Sequence, residues 1–227
     1  MNYRAMVAEF VGTFALVWVG IMAIESLGTD LLGIAFAHGL AIAILVTATA
    51  AVSGGHLNPA VTVGLLMAKK ISIGDAIGYW ISQLLAGLVA AYVVLSTLPG
   101  DATQVVASGT PVVNPTITSG VTAWTLELLA TFFLMFAVLG TAVDKRAPKM
   151  GGLYIGLAVL MGILAIGPWT GGAMNPARWL GPAIAGDLTV GMAEVVVYFL
   201  GPITGAILAT IVYSLFLMPK EQVAETV

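Results

Sequence analysis

The chain has no cysteine, which excludes disulfides, thiolate metal sites and thiol redox chemistry, and leaves no thiol for a mercurial to block. Charge is nearly as scarce. Only 8% of the 227 residues are charged and 59% are hydrophobic, and the mean hydropathy is +1.05. These values lie far outside the range of soluble domains. No Asp, Glu, Lys or Arg occurs between Leu31 and Ala68, Ala102 and Leu126, Met150 and Ala177, or Val195 and Pro219. A helix needs about 20 apolar residues to cross a bilayer, so the composition is that of an integral membrane protein. The apolar run from Ala5 is also long enough to span. It lacks a small-residue cleavage site followed by polar sequence, so a retained first helix is expected rather than a signal peptide.

The apolar pattern predicts spans near 4–24, 31–52, 75–98, 120–142, 150–167 and 193–217. Two shorter apolar pieces remain, Pro59 to Ala68 and Pro176 to Ala185, each long enough to reach only halfway across a membrane. Arg4, Lys69, Lys70, Lys145, Arg146, Lys149 and Lys220 all fall on one side of this arrangement, provided the first half-helix enters and leaves by the same face. Glu25, Asp30, Asp101 and Asp187 fall on the other. Basic residues favour the cytoplasmic side, so cytoplasmic termini are expected. The short tails suggest a minimal protein of the cell (plasma or inner) membrane. Arg178 is the one basic residue that this rule does not place.

The chain repeats itself. "EFVGTF" at 9–14 matches "ELLATF" at 127–132, "SGGHLNPAV" at 53–61 matches "TGGAMNPAR" at 170–178, and "YWISQLLAG" at 79–87 matches "YFLGPITGA" at 198–206. Glu9 precedes Asn58 by 49 residues and Glu127 precedes Asn175 by 48, so order and spacing both hold. Each unit has three spans, an odd number, so the second copy must be inserted upside down relative to the first. The expected organisation is one transmembrane domain over 1–227. Repeat one covers 1–98, a connecting loop 99–119, repeat two 120–218 and a short cytoplasmic tail 219–227.

Helix-breaking residues at membrane depth are tolerated only where the backbone is buried in protein or lines a water-filled cavity. Asn58 and Asn175 each stand at a preferred helix N-cap, and Pro59 and Pro176 follow in the first turn, where the missing N–H does no harm. Two half-helices entering from opposite faces would meet N-terminus to N-terminus. Their positive dipole ends would favour a ligand oxygen and repel cations.

The paired sequences Asn58-Pro59-Ala60 and Asn175-Pro176-Ala177, with Arg178 after the second, resemble the signatures of the aquaporin (major intrinsic protein) family, and the resemblance covers essentially the whole chain. It implies an all-α bundle of six spans and two re-entrant half-helices. It also implies a homotetramer in the lipid bilayer, each protomer with its own pore, and single-file water reoriented at the two asparagines. A second constriction is implied nearer the outside. By distance from the motifs it comprises His38, Ile163, Gly172 and Arg178. Water-selective members resemble Phe, His, Thr or Cys, and Arg at these places. The set here instead resembles the tonoplast intrinsic and ammonia-permeable branches, and implies a wider, half-apolar filter that passes water and ammonia. The further histidine that ammonia-permeable relatives carry after span three is missing, since His38 and His56 are the only two.

Glu9 and Glu127 are intramembrane carboxylates, which suggest either a proton relay or acceptors for the N–H groups of the re-entrant loops. The second reading fits the repeat. His56, in the turn before Asn58, is expected to support its loop. Alternatives are a facilitator of glycerol or another small neutral solute, a proton-coupled secondary transporter using Glu9 or Glu127, and an intramembrane hydrolase built on Ser53 with His38 or His56. Glycerol facilitators resemble Asn-Pro-Ala-Arg-Asp at the second motif, whereas Trp179 follows Arg178 here. No enzymatic activity, metal, cofactor or nucleic-acid partner is expected.

Overall fold

The computed structural model describes residues 2–116, 119–147 and 150–219, so Lys149 and Lys220 lie outside the described residues. The described residues form helices and no strands. Helices α1 (Tyr3–Leu27), α2 (Leu31–Ser53), α4 (Ile73–Thr97), α6 (Gly120–Val138) and α7 (Gly151–Thr170) are long. α6 continues through a π-helical turn, Leu139–Val143. The last span is α9 (Met192–Val195), a π-helical turn (Val196–Leu200) and α10 (Gly201–Phe216). Among the described residues, six helical stretches are therefore long and apolar enough to cross a membrane. The two half-helices are α3 (Pro59–Met67) and α8 (Pro176–Ala185).

The ends are set by local chemistry. Asp30 caps α2 by accepting from the Gly33 N–H at 3.0 Å, and Ser72 caps α4 by accepting from the Asp75 N–H at 3.1 Å. α7 runs three residues beyond the expected 167 because Pro168 sits in its last turn without ending it. The π-helical turn at Val196–Leu200 ends two residues before Pro202, which has no N–H to donate to the regular ladder. The connector 99–119 holds an unforeseen helix, α5 (Ala102–Ser108), capped by Asp101. Its Val106 is fully buried with Val17 and Ile21 of α1.

Lipid offers no hydrophobic drive between helices, so close backbone approach matters more than apolar area. A Cβ on Gly39 of α2 would lie 2.9 Å from the Gly156 carbonyl of α7. Gly87 of α4 and Gly181 of α8 meet in the same way, backbone against backbone. These contacts draw the long helices around α3 and α8, whose buried ends hold the residues of interest. Outward residues such as Trp18, Leu40, Ile81 and Phe133 remain exposed, as a lipid-facing surface requires.

Candidate functional site

Both half-helices begin in a loop whose backbone is forced into the left-handed region. Gly54, Gly55 and Leu57 have φ of 86°, 64° and 51°, and Gly171, Gly172 and Met174 have 76°, 61° and 49°. Leu57 and Met174 carry side chains, so this conformation needs outside support. Two buried carboxylates supply it. Glu9 Oε1 accepts from the His56 N–H at 2.9 Å and the Ser53 hydroxyl at 2.6 Å; Oε2 accepts from the Leu57 N–H at 2.6 Å and Gln83 Nε2 at 2.8 Å. Glu127 Oε1 accepts from the Ala173 N–H at 2.9 Å and the Thr170 hydroxyl at 2.7 Å; Oε2 accepts from the Met174 N–H at 2.7 Å. Both carboxylates are fully buried, and they satisfy loop donors that would otherwise be stranded in the membrane. Tyr79 and Tyr198 close each loop from behind, their hydroxyls donating to the carbonyls of Ser53 at 2.7 Å and Thr170 at 2.9 Å.

The two loops hold one another. Asn58 Nδ2 donates to the Met174 carbonyl at 2.8 Å and Asn175 Nδ2 to the Leu57 carbonyl at 2.9 Å. Their Oδ1 atoms cap the half-helices, accepting from the N–H groups of Ala60 at 2.9 Å and Ala177 at 3.0 Å. An amide nitrogen has two hydrogens. One on each asparagine remains for the space between them.

That space is a cavity of about 440 Å³ which both asparagines line. Lys70, Ala142 and Val143 line it at one end, and His38, Ile163, Gly172 and Arg178 line it at the other. Ile42, Val46, Val159 and Leu134 give it an apolar wall. A second cavity of about 340 Å³ is lined by Thr110, Asn114, Pro168 and again Arg178, so this guanidinium stands at the boundary between the two. Arg178 Nε donates to His38 Nε2 at 3.3 Å, and Nη1 is buried with no hydrogen-bond partner among the described residues. His38 Nδ1 lies 2.8 Å from the Ile34 carbonyl, which can only accept, so the proton is on Nδ1 and Nε2 offers its lone pair to the arginine. A Cβ on Gly172 would sit 3.3 Å from the Ile163 Cα, so the glycine leaves room that a side chain would take.

Of the expected residues, His38, His56, Asn58, Ile163, Gly172, Asn175 and Arg178 line the larger cavity, whereas Pro59, Ala60, Pro176, Ala177, Glu9 and Glu127 are not among its lining residues. His56 supports its loop by a route the sequence did not indicate. Its backbone N–H goes to Glu9, while its ring Nδ1 lies 3.1 Å from the Thr62 hydroxyl and the ring packs edge-on to Tyr79. Gln83 Nε2 donates to the same hydroxyl at 3.0 Å. In the second repeat the counterparts of His56, Thr62 and Gln83 are Ala173, Trp179 and Pro202, and an aromatic stack fills the place of the polar cluster. Trp179 lies 5.0 Å from Tyr198, nearly parallel, with Phe199 edge-on at 6.0 Å. Ser53, Thr170, Tyr79 and Tyr198 stood at matching repeat positions, which was the signal that could have found them.

The Major intrinsic protein family model matches residues 1–213. The chain is 37% identical to aquaporin TIP2-1 of Arabidopsis thaliana, over 98% of this chain and 91% of the relative. It is 38% identical to aquaporin TIP2-2 of Zea mays, over 93% and 86%. Among solved structures, the aquaglyceroporin from Plasmodium falciparum superposes with a TM-score of 0.79 at 25% identity, covering 99% of this chain and all of that one. With six spans, paired half-helices and a cavity running between reciprocal asparagines, this integral multi-pass membrane protein belongs to the major intrinsic protein family.

Proposed function

We propose that the protein is a passive pore for water and ammonia that excludes ions and protons, and has no enzymatic activity. The observation that carries this reading is the reciprocal tie between Asn58 and Asn175, which both line one cavity. Each asparagine keeps one N–H free beside the N-terminus of a half-helix. The centre is therefore rich in donors and positive in potential, and a passing water must present its oxygen there. Its hydrogens then point away along both arms of the file, which breaks proton relay. Arg178 adds a full positive charge against cations.

In this reading His38, Ile163, Gly172 and Arg178 form the selectivity constriction. Two polar groups face two that offer no side-chain hydrogen bond, a balance suited to small neutral molecules such as water and ammonia. Glycerol is the weaker alternative, because Trp179 and the Tyr198-Phe199 pair fill the region behind the second half-helix. Glu9 and Glu127 serve as loop supports and not as proton-coupling groups, since loop and side-chain donors occupy both oxygens of each carboxylate. Ser53 lacks the arrangement of a nucleophile, with its proton committed to Glu9 and the His38 and His56 rings engaged elsewhere.

The architecture reads as repeat one over 1–98 and an inverted repeat two over 120–218, joined by 99–119. Lys70 shares one mouth of the cavity with Ala142 and Val143, close to Lys145 and Arg146 in sequence, which supports a cytoplasmic assignment for that face and for both termini. A homotetramer is proposed from the family resemblance. The test is stopped-flow light scattering of proteoliposomes given an osmotic step. Shrinkage well above protein-free vesicles, with low activation energy and no dependence on a proton gradient, is expected. Shrinkage at the lipid rate would remove the water assignment.

A further inference from the structure

Gly20 lies on α1 and is buried, and nothing in its local sequence distinguishes it from other glycines. A Cβ built on it would fall 2.5 Å from His38 Nε2 and 3.1 Å from Arg178 Nε. These are the two nitrogens that form the 3.3 Å hydrogen bond at the constriction. Glycine is a poor helix former, and Gly20 has an ordinary helical conformation that alanine could adopt, so the helix itself gives no reason for it. The reason lies in what stands opposite.

We infer that Gly20 is a fifth, positioning residue of the constriction: its missing side chain creates the recess in which His38 and Arg178 pair against the wall. The inference rests on the pore reading above. Each of the two residues is tied at one point away from α1. His38 is anchored behind by Nδ1 donating to Ile34, and the Arg178 backbone N–H is held by Asn175 Oδ1 at 3.3 Å. A methyl group at position 20 separates Nε2 from Nε and drives the imidazole toward the lumen and the guanidinium into one of the two cavities that it borders. The constriction then narrows, and the lone pair of His38, now spent on the arginine, becomes available to permeants. Gly20 thus selects by what it permits behind the filter and contacts no permeant itself.

The test compares the full-length protein with Gly20→Ala, His38→Ala and the double variant in proteoliposomes, alongside Gly74→Ala as a glycine-to-alanine control in open space. Gly20→Ala is expected to lower water permeability at least fivefold and to change the ratio of water to ammonia flux. In the His38→Ala background, where the clash with the imidazole is gone, the same change is expected to cost less than twofold. An equal loss in both backgrounds would show a packing defect of α1 and overturn the inference, as would wild-type conduction by Gly20→Ala.

A second readout does not depend on conduction. With two histidines in the chain, the His38 ring nitrogens can be assigned by ¹⁵N NMR through their disappearance in His38→Ala. The Nε2 resonance is expected to be unprotonated and hydrogen-bonded in the wild type and to shift toward the free value in Gly20→Ala. An unchanged Nε2 resonance overturns the inference even if the vesicles conduct nothing. Wild-type vesicles no faster than bare lipid, with the expected Nε2 shift, would leave the recess standing and remove the pore reading instead.

Discussion

Asn58 and Asn175 each spend one amide hydrogen on the other's loop, at 2.8 Å to the Met174 carbonyl and 2.9 Å to the Leu57 carbonyl. The two half-helices are therefore locked end to end by the same groups that face the lumen. Asn175→Ala removes three things at once: the N-cap of α8, the donor to Leu57 and one lumenal N–H. Loss of the cap alone costs about 1 kcal/mol. The stranded Leu57 carbonyl adds about 1–3 kcal/mol. A fall in the detergent melting temperature is expected together with reduced water flux. A variant that melts as the wild type would mean the reciprocal bonds do not hold the loops.

Glu9 receives donors on both oxygens, two of them backbone N–H groups at 2.9 Å and 2.6 Å. Glu9→Gln puts an NH₂ where one oxygen must accept, so whichever way the amide turns, at least one loop donor loses its partner. A cost of about 1–3 kcal/mol is expected, seen as a lower melting temperature and less correctly folded protein. A proton-coupling role predicts the opposite pattern, a stable protein whose flux no longer responds to a proton gradient. Measuring both on the same preparation decides between them.

The end-to-end half-helices were legible because their signals are local. Asn at the cap, Pro in the first turn and about ten apolar residues suffice to mark Pro59 and Pro176. The carboxylates were legible because a buried charge in an apolar run needs a reason, and the repeat supplied one. α5 was not legible, because seven residues in a polar connector carry no clear period and its helix depends on Val106 reaching α1. Nor was Gly20, whose meaning lies in two side chains, 18 and 158 residues away in sequence, that meet across the fold. The two loops nevertheless have different surroundings, since Thr62 and Gln83 of the first are replaced by Trp179 and Pro202 in the second.

Trp179 is 2% exposed and stacked on Tyr198, whose hydroxyl in turn holds the Thr170 carbonyl at 2.9 Å. The stack thus couples α8 to the end of α7. Trp179→Ala opens a cavity beside a residue adjacent to Arg178, and loss of a buried tryptophan costs about 3–5 kcal/mol. Trp179→Phe keeps an aromatic face toward Tyr198 and should recover much of that. The ordering of melting temperatures, wild type above Phe above Ala, checks the claim. Equal values for Phe and Ala would mean that the aromatic face toward Tyr198 contributes nothing.

Outside the membrane-spanning segments, Asp144 gathers the Arg146 guanidinium, the Arg146 N–H at 3.0 Å and the Tyr213 hydroxyl at 3.1 Å. Arg146 also donates to the Leu217 carbonyl at 2.9 Å, tying the loop after α6 to the end of α10. The hydrogen bonds from Arg146 hold the Asp144 carboxyl below its ordinary value of 3.8. A carboxyl depressed on folding stabilises fully above its unfolded value, and that contribution fades as pH falls through the folded one. Hydrogen-exchange protection across 144–147 and at Leu217 is therefore expected to stay flat from neutral pH down to the ordinary carboxylate range and to drop only below it. Asp144→Asn should lower that protection at every pH and abolish the acid-dependent drop. Protection that declines between pH 7 and pH 5 in the wild type, or survives unchanged in Asp144→Asn, would place the tie elsewhere.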